Sequence, residues 1–124
     1  MNVMMSDLVR QHFHEPCFIG ILPAGPKVIR VEIDSPATSR HIIFSIEVEQ
    51  SRIVQARHLV RGCPYTIATF SYLANWCYGQ MLVNLTSMTR AFLIDQLSLP
   101  ATKVHCAAMA EDTLRQLYLQ WENT

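Results

Sequence analysis

Gly62-Cys63-Pro64-Tyr65-Thr66-Ile67-Ala68 is the stretch at which the hydrophobic pattern of this chain turns from alternating to helical. Pro64 suits a first helical position, because its fixed φ fits the turn and its missing N–H would have no partner there. Cys63 then becomes the N-cap. Upstream, Ile29, Val31 and Ile33 alternate with Arg30, Glu32 and Asp34, and Ile42, Phe44, Ile46 and Val48 repeat the alternation with Ser45, Glu47 and Glu49 expected outward. Glu49-Gln50-Ser51 reads as a hairpin turn into a third strand, about Ile53 to Val60, whose faces are less cleanly separated. Three short strands in succession predict an antiparallel meander. Downstream, residues 64–78 carry Ile67, Phe70, Leu73, Ala74 and Cys77 on one broad stripe, with Gly79 as a stop. Leu82 to Leu97 predicts one or two short helices. Leu99-Pro100 ends that run, Thr102 is a candidate cap, and a last helix is expected from about Lys103 to Trp121. At the front, Met5, Leu8, Val9 and His12 or Phe13 predict a short helix that Pro16 ends. Strands followed by helices make an α+β fold, with a three-stranded antiparallel sheet and helices on one face.

Composition narrows the function. The 124 residues are half hydrophobic, which predicts a single domain over 1–124 able to bury a core without staples. Ten basic residues balance ten acidic ones, so no field invites nucleic acid or an anionic membrane. Met1 to Ser6 show no signal-like charge followed by an apolar run, and no segment reaches the roughly 18 apolar residues of a spanning helix. A cytoplasmic protein is expected. Cys17, Cys63, Cys77 and Cys106 show no close pairing, which favours reduced thiols over a secreted disulfide framework.

Two of those thiols stand out. Val104-His105-Cys106 falls, like Cys63, in a first helical turn, where the positive helix end favours thiolate, the form that binds metals and attacks sulfur. Cys77 lies fourteen residues past Cys63 on one helix, about 21 Å away, and reads as core. Cys17 follows a proline in a loop. His12, His14, His41 and His58 have no such neighbours and read as surface or strand-face residues. Cys63, His105 and Cys106 are therefore the candidate metal or sulfur site, although spacing alone leaves open two buried cysteines and a hydrogen-bonded histidine.

At these residues the sequence resembles the U-type iron-sulfur cluster scaffold family, proteins like IscU and the N-terminal domain of NifU. Residues 62–68 are similar to the family's G-C-G-x-A-I-A, and Val104-His105-Cys106-Ala107-Ala108-Met109-Ala110-Glu111-Asp112 to its K-I-H-C-S-x-L-A-E-D. Ala56-Arg57 stand where the family has A-R, and His12-Phe13 with residues 16–20 are similar to H-Y-x-N-P-x-N-x-G. The likeness runs without a gap from Gly62 to near the C-terminus. It implies a sheet with helices on one face, no enzymatic turnover, an iron-sulfur cluster or iron as the bound group, and a cysteine desulfurase and other iron-sulfur assembly proteins as partners.

This chain departs from the family at several positions. The family's first ligand motif, P-x-C-G-D, aligns with residues 36–40, so Thr38 replaces a cysteine ligand and Arg40 an aspartate. A hydroxyl is a poor ligand for soft metals, and a 2Fe–2S cluster is normally held by four thiolate-type ligands. Arg40 near the site would oppose a dication by about 1 to 4 kcal/mol, while favouring the thiolates. Zinc on two thiolates and one imidazole, or a metal-free site, then competes with a cluster. The chaperone-recognition segment L-P-P-V-K appears as Leu99-Pro100-Ala101-Thr102-Lys103, without its second proline and its valine. That loss of stiffness argues against an Hsp70-type partner. Three readings result: a divergent scaffold that binds iron, zinc or a cluster; a non-catalytic protein that docks on assembly partners; and a carrier of persulfide sulfur on Cys106 or Cys63.

Overall fold

The alternating segments form an antiparallel meander in the computed structural model, which describes residues 5–35, 37 and 39–123. Strands β1 (Val28–Ser35), β2 (Arg40–Glu49) and β3 (Arg52–Arg61) lie side by side in chain order. Gln50 and Ser51 make the turn between β2 and β3, both at positive φ (50° and 62°), the backbone form whose twist matches a tight hairpin. Phe44 faces Val31 on one side and His58 on the other, so Val31, Phe44, Ile46 and Ala56 are buried on one face. A bulge opposite Glu47 and Val48 puts an extra residue into β3 and lets Ile53 and Ala56, which differ in parity, both enter the core. This is why the third strand lacks a clean alternation.

Ser45 corrects one expectation. It is fully buried rather than outward, and its Oγ accepts the Leu22 N–H at 3.1 Å. The segment after the first helix lies against the sheet: Gly20 N–H donates to the His58 carbonyl at 2.8 Å, and His58 N–H to that of Phe18 at 3.0 Å. That first helix, α1 (Asp7–His14), is capped by Ser6, whose hydroxyl accepts the Val9 N–H and donates to the Leu97 carbonyl at 2.8 Å.

Helix α2 (Pro64–Cys77) begins after Cys63 as the N-cap, as the Pro64 argument requires. It is buried on nearly all sides rather than along one stripe, because α1 and the sheet both pack on it. Phe44 and Phe70 meet there with ring centroids 6.1 Å apart. Gly79, at φ 87°, turns the chain so that its N–H reaches the Ile53 carbonyl at 2.9 Å. A 3-10 helix (Leu82–Ser87), α3 (Arg90–Leu97), a 3-10 turn (Ala101–Lys103) and α4 (Val104–Glu122) complete the order. Thr102 does not cap α4: it lies inside the 3-10 turn that Pro100 opens, Lys103 N–H donates to the Pro100 carbonyl at 2.8 Å, and Lys103 occupies the N-cap position. Ala107, Ala110, Leu114 and Leu117 of α4 are buried, and Gln120 Nε2 donates to the Arg30 carbonyl of β1. Helices cover one face of a three-stranded antiparallel sheet, and no helix among the described residues is long and apolar enough to cross a membrane.

Candidate thiol site

Three element starts meet at one end of the molecule: β2 at Arg40, α2 at Cys63 and α4 at His105 and Cys106. The centre is Thr66. Its Oγ1 lies 3.4 Å from Cys63 Sγ and 3.5 Å from Cys106 Sγ, so the two sulfurs stand closer than the sum of those distances. Thr66 is fully buried, about one helical turn past the cap. Gly62 makes room for it: a Cβ on Gly62 would stand 3.2 Å from the Thr66 Cβ, tighter than ordinary packing.

The two thiols have opposite characters. Burial pushes the Cys63 thiol up, but the Thr66 hydroxyl, the backbone N–H groups of Thr66 and Tyr65 and the charge of Lys103 together leave it below the ordinary value. Those N–H groups point at the sulfur without closing a full cap bond. Lys103 Nζ lies 3.7 Å from Cys63 Sγ and over the Tyr65 ring, 5.8 Å from its centroid. Cys106 goes the other way: burial raises its thiol, and Thr66, Arg40 and Lys103 do not offset it. The expectation of easier ionisation at both cysteines is therefore corrected for Cys106, because complete burial at a helix start outweighs the favourable dipole. The proton arrangement is consistent: with Cys63 ionised, Thr66 donates to it and accepts from the Cys106 thiol.

His105 sits beside the thiols but is engaged elsewhere. Arg40 Nη2 donates to its Nε2 at 2.8 Å. Burial and the charges of Arg40 and Lys103 hold the imidazole below its ordinary pKa, against a backbone bond to Thr102. The ring is neutral at neutral pH, and the nitrogen facing Arg40 is occupied. Among the described residues, no three His, Cys, Asp or Glu side chains gather closely enough to hold a metal ion. Thr38 lies outside the described residues. Leu99 is buried, Pro100 half-buried, and residues 101–103 form the 3-10 turn with Lys103 turned to Cys63, so this segment is not the extended strand a peptide groove takes.

The other cysteines stand as follows. Cys77 is buried in the core, and burial pushes its thiol far up. Cys17 is half-buried, and its backbone joins a polar seam: its N–H donates to Ser71 Oγ at 2.8 Å and its carbonyl accepts from His58 Nε2 at 2.7 Å. His12 Nδ1 lies 2.8 Å from the same Ser71 oxygen. His12, in α1, is thus buried rather than at the surface, and His58 is the expected strand-face residue, but a buried one. Sequence reasoning missed Thr66 and Lys103 as site residues. The first had a signal, since an N-cap side chain and the residue three positions on face each other; the second had been read only as part of a partner-binding segment.

The comparisons agree with the fold. A family model of NifU-like N-terminal domains matches residues 4–123. The iron-sulfur cluster assembly scaffold protein IscU of Azotobacter vinelandii is 30% identical over 112 residues, which cover 89% of this chain and 88% of the relative. The iron-sulfur cluster assembly protein IscU of Plasmodium falciparum is 30% identical over 111 residues, covering 89% of this chain and 68% of its own length. Among solved structures, a protein of Fervidobacterium islandicum assigned as a scaffold for the SUF system superposes with a TM-score of 0.71 at 12% identity, over 91% of this chain and 95% of that one. A NifU-like N-terminal structure from Brucella abortus gives 0.60 at 15% identity, over 91% and 79%. At those identities the structures speak for the fold alone.

Proposed function

The chain belongs to the family of NifU-like N-terminal domains, and from that premise we propose that it is a single-domain, non-catalytic, scaffold-like protein of iron-sulfur cluster assembly, working in the cytoplasm through Cys63, Cys106 and His105. The observation that carries this reading is the convergence of Cys63 and Cys106, from two helix starts far apart in sequence, on the one Thr66 hydroxyl. Iron, zinc or a cluster is the cargo. The donor set does not close around a cluster: the chain offers two thiols, one held protonated by burial, an imidazole occupied by Arg40, and two cations that oppose a dication. The remaining ligands come from a partner, for which a cysteine desulfurase or another assembly protein fits. The 3-10 turn over 101–103 argues against an Hsp70-type partner.

Anaerobic assembly with ferrous iron, cysteine and a cysteine desulfurase tests the reading. The wild-type chain is expected to retain iron and sulfide, and Cys63→Ala and Cys106→Ala to fall to background. Equal retention by all three would overturn the site. A stoichiometric, stable cluster reconstituted from iron and sulfide on the chain alone would overturn the need for a partner's ligands.

A further inference from the structure

We propose that Cys63 and Cys106 are a resolving pair that discharges sulfur: Cys63 takes a sulfane sulfur from a persulfide donor, and Cys106 displaces it as hydrosulfide by closing a Cys63–Cys106 disulfide. The proposal rests on the assembly reading above and says in what form sulfur leaves this chain. Accessibility divides the labour. Cys63 is half-buried at the N-cap of α2, whereas Cys106 is fully buried. Of the pair, only Cys63 can meet an external donor. Cys106 can react with nothing but what arrives on its neighbour, and both sulfurs lie within reach of the same Thr66 oxygen.

The chemistry balances on the residues present. The Cys63 thiolate attacks the outer sulfur of the donor persulfide, the donor's own S–S bond breaks, the rest of the donor departs as a thiol carrying the proton of that outer sulfur, and Cys63 becomes a persulfide anion beside Lys103. The Cys106 sulfur then attacks the inner, Cys63 sulfur. The Cys63–Cys106 bond forms, the bond to the outer sulfur breaks, and its electron pair departs with that atom. The sulfane sulfur is reduced by two electrons, and the two thiols are oxidised to a disulfide. The Cys106 proton ends on the departing hydrosulfide, and the Thr66 hydroxyl, which touches both sulfurs, is placed to pass it. Thiol-disulfide exchange follows the same path, with the leaving sulfur's acidity favouring departure. Thr66 stands where the family motif given above has alanine, so the bridging hydroxyl is this chain's own. An external thiol restores the pair for another round.

The test uses the reduced, metal-free chain under anaerobic conditions, with glutathione persulfide as donor, Cys17→Ser removing the other half-exposed thiol, sulfide trapped by a bimane reagent, and intact and peptide masses recorded. The unmodified Cys63–Cys106 pair is expected to release one sulfide per chain and lose the mass of two hydrogens, with the new bond mapped to Cys63 and Cys106. Cys106→Ser and Cys106→Ala should keep one extra sulfur on Cys63 and release no sulfide above the donor blank. Cys63→Ala should take up no sulfur. A stable extra sulfur on Cys63 of the intact pair without sulfide, or undiminished sulfide from the Cys106 variants, would overturn the proposal. The first of these leaves the scaffold reading standing, since loaded sulfur then awaits iron. Disulfide formation together with background iron retention in the desulfurase assay would do the reverse.

Discussion

The Thr66 hydroxyl touches both sulfurs and has one proton to give, which an ionised Cys63, the less buried of the two, would receive. Cys63 also has Lys103 at 3.7 Å, a contact that favours its thiolate. Lys103→Met should therefore raise the Cys63 pKa and slow its alkylation at neutral pH by roughly threefold or more, with Cys106 slow in both proteins. Rates against pH, read by peptide mass, check this; equal rates for the wild-type and substituted chains would remove the lysine from the site. Arg40 acts on the imidazole. Its guanidinium opposes protonation of His105, so Arg40→Asp, which replaces a repelling charge with an attracting one, should raise the His105 pKa. Imidazole chemical shifts followed across pH would show the rise, and an unmoved titration would refute the contact. Neither pairing is written in spacing. Residues 40, 63, 66, 103 and 105 meet because the sheet and two helices pack, and the likeness to a family could point to Cys63, His105 and Cys106 but not to Thr66, where this chain departs from the motif.

Between α1, α2 and β3 runs the seam of His12, Ser71, Cys17 and His58, which holds two buried imidazoles. Burial lowers both imidazoles from 6.5, and each histidine's charge would repel the other's. His58 Nε2 donates to the Cys17 carbonyl, and its buried Nδ1 has no partner among the described residues. The sign follows directly. Below 6.5 the unfolded chain takes up protons that the folded seam refuses, so the seam's contribution is complete above that pH and is lost as pH falls toward the lowered folded values. Urea midpoints measured from about pH 7.5 to about pH 5 should drop, and His58→Gln should flatten the drop. Parallel curves for the two proteins would locate the acid sensitivity elsewhere. At this scale much was legible: the alternation in β1, the existence of strand β2, the Pro64 start of α2 and the Gly79 stop all stand, while β2 is buried on both faces over residues 42–46. What failed were the judgements of face and cap. Ser45 and His58 are polar residues at strand positions, buried because Leu22 reaches the first and the Cys17 carbonyl takes the ring of the second. Thr102 is a good cap by type, but Pro100 had already opened a tighter turn.

For the whole molecule, the order of elements is what gathers the site, since the sheet ends, α2 and α4 present their starts at the same pole. Separate any of them and the two sulfurs part, so what depends on the folded state is their meeting at Thr66. The convergence on Thr66 also has a consequence in chain entropy. A bond between Cys63 and Cys106 would close a loop of roughly forty residues holding α2, the 3-10 helix and α3, and such a loop takes away from the unfolded chain about 4 kcal/mol of conformational freedom at 25 °C. The oxidised chain should melt on the order of 10 °C above the reduced one, less whatever strain the bond introduces. Calorimetry of the two forms would measure it, and coincident transitions would mean that the two helix starts cannot be tied without distortion. Melting temperature then becomes a gauge of sulfur history: a chain that has discharged its sulfur resists heat and protease, and reduction returns it to the looser form that can be loaded again.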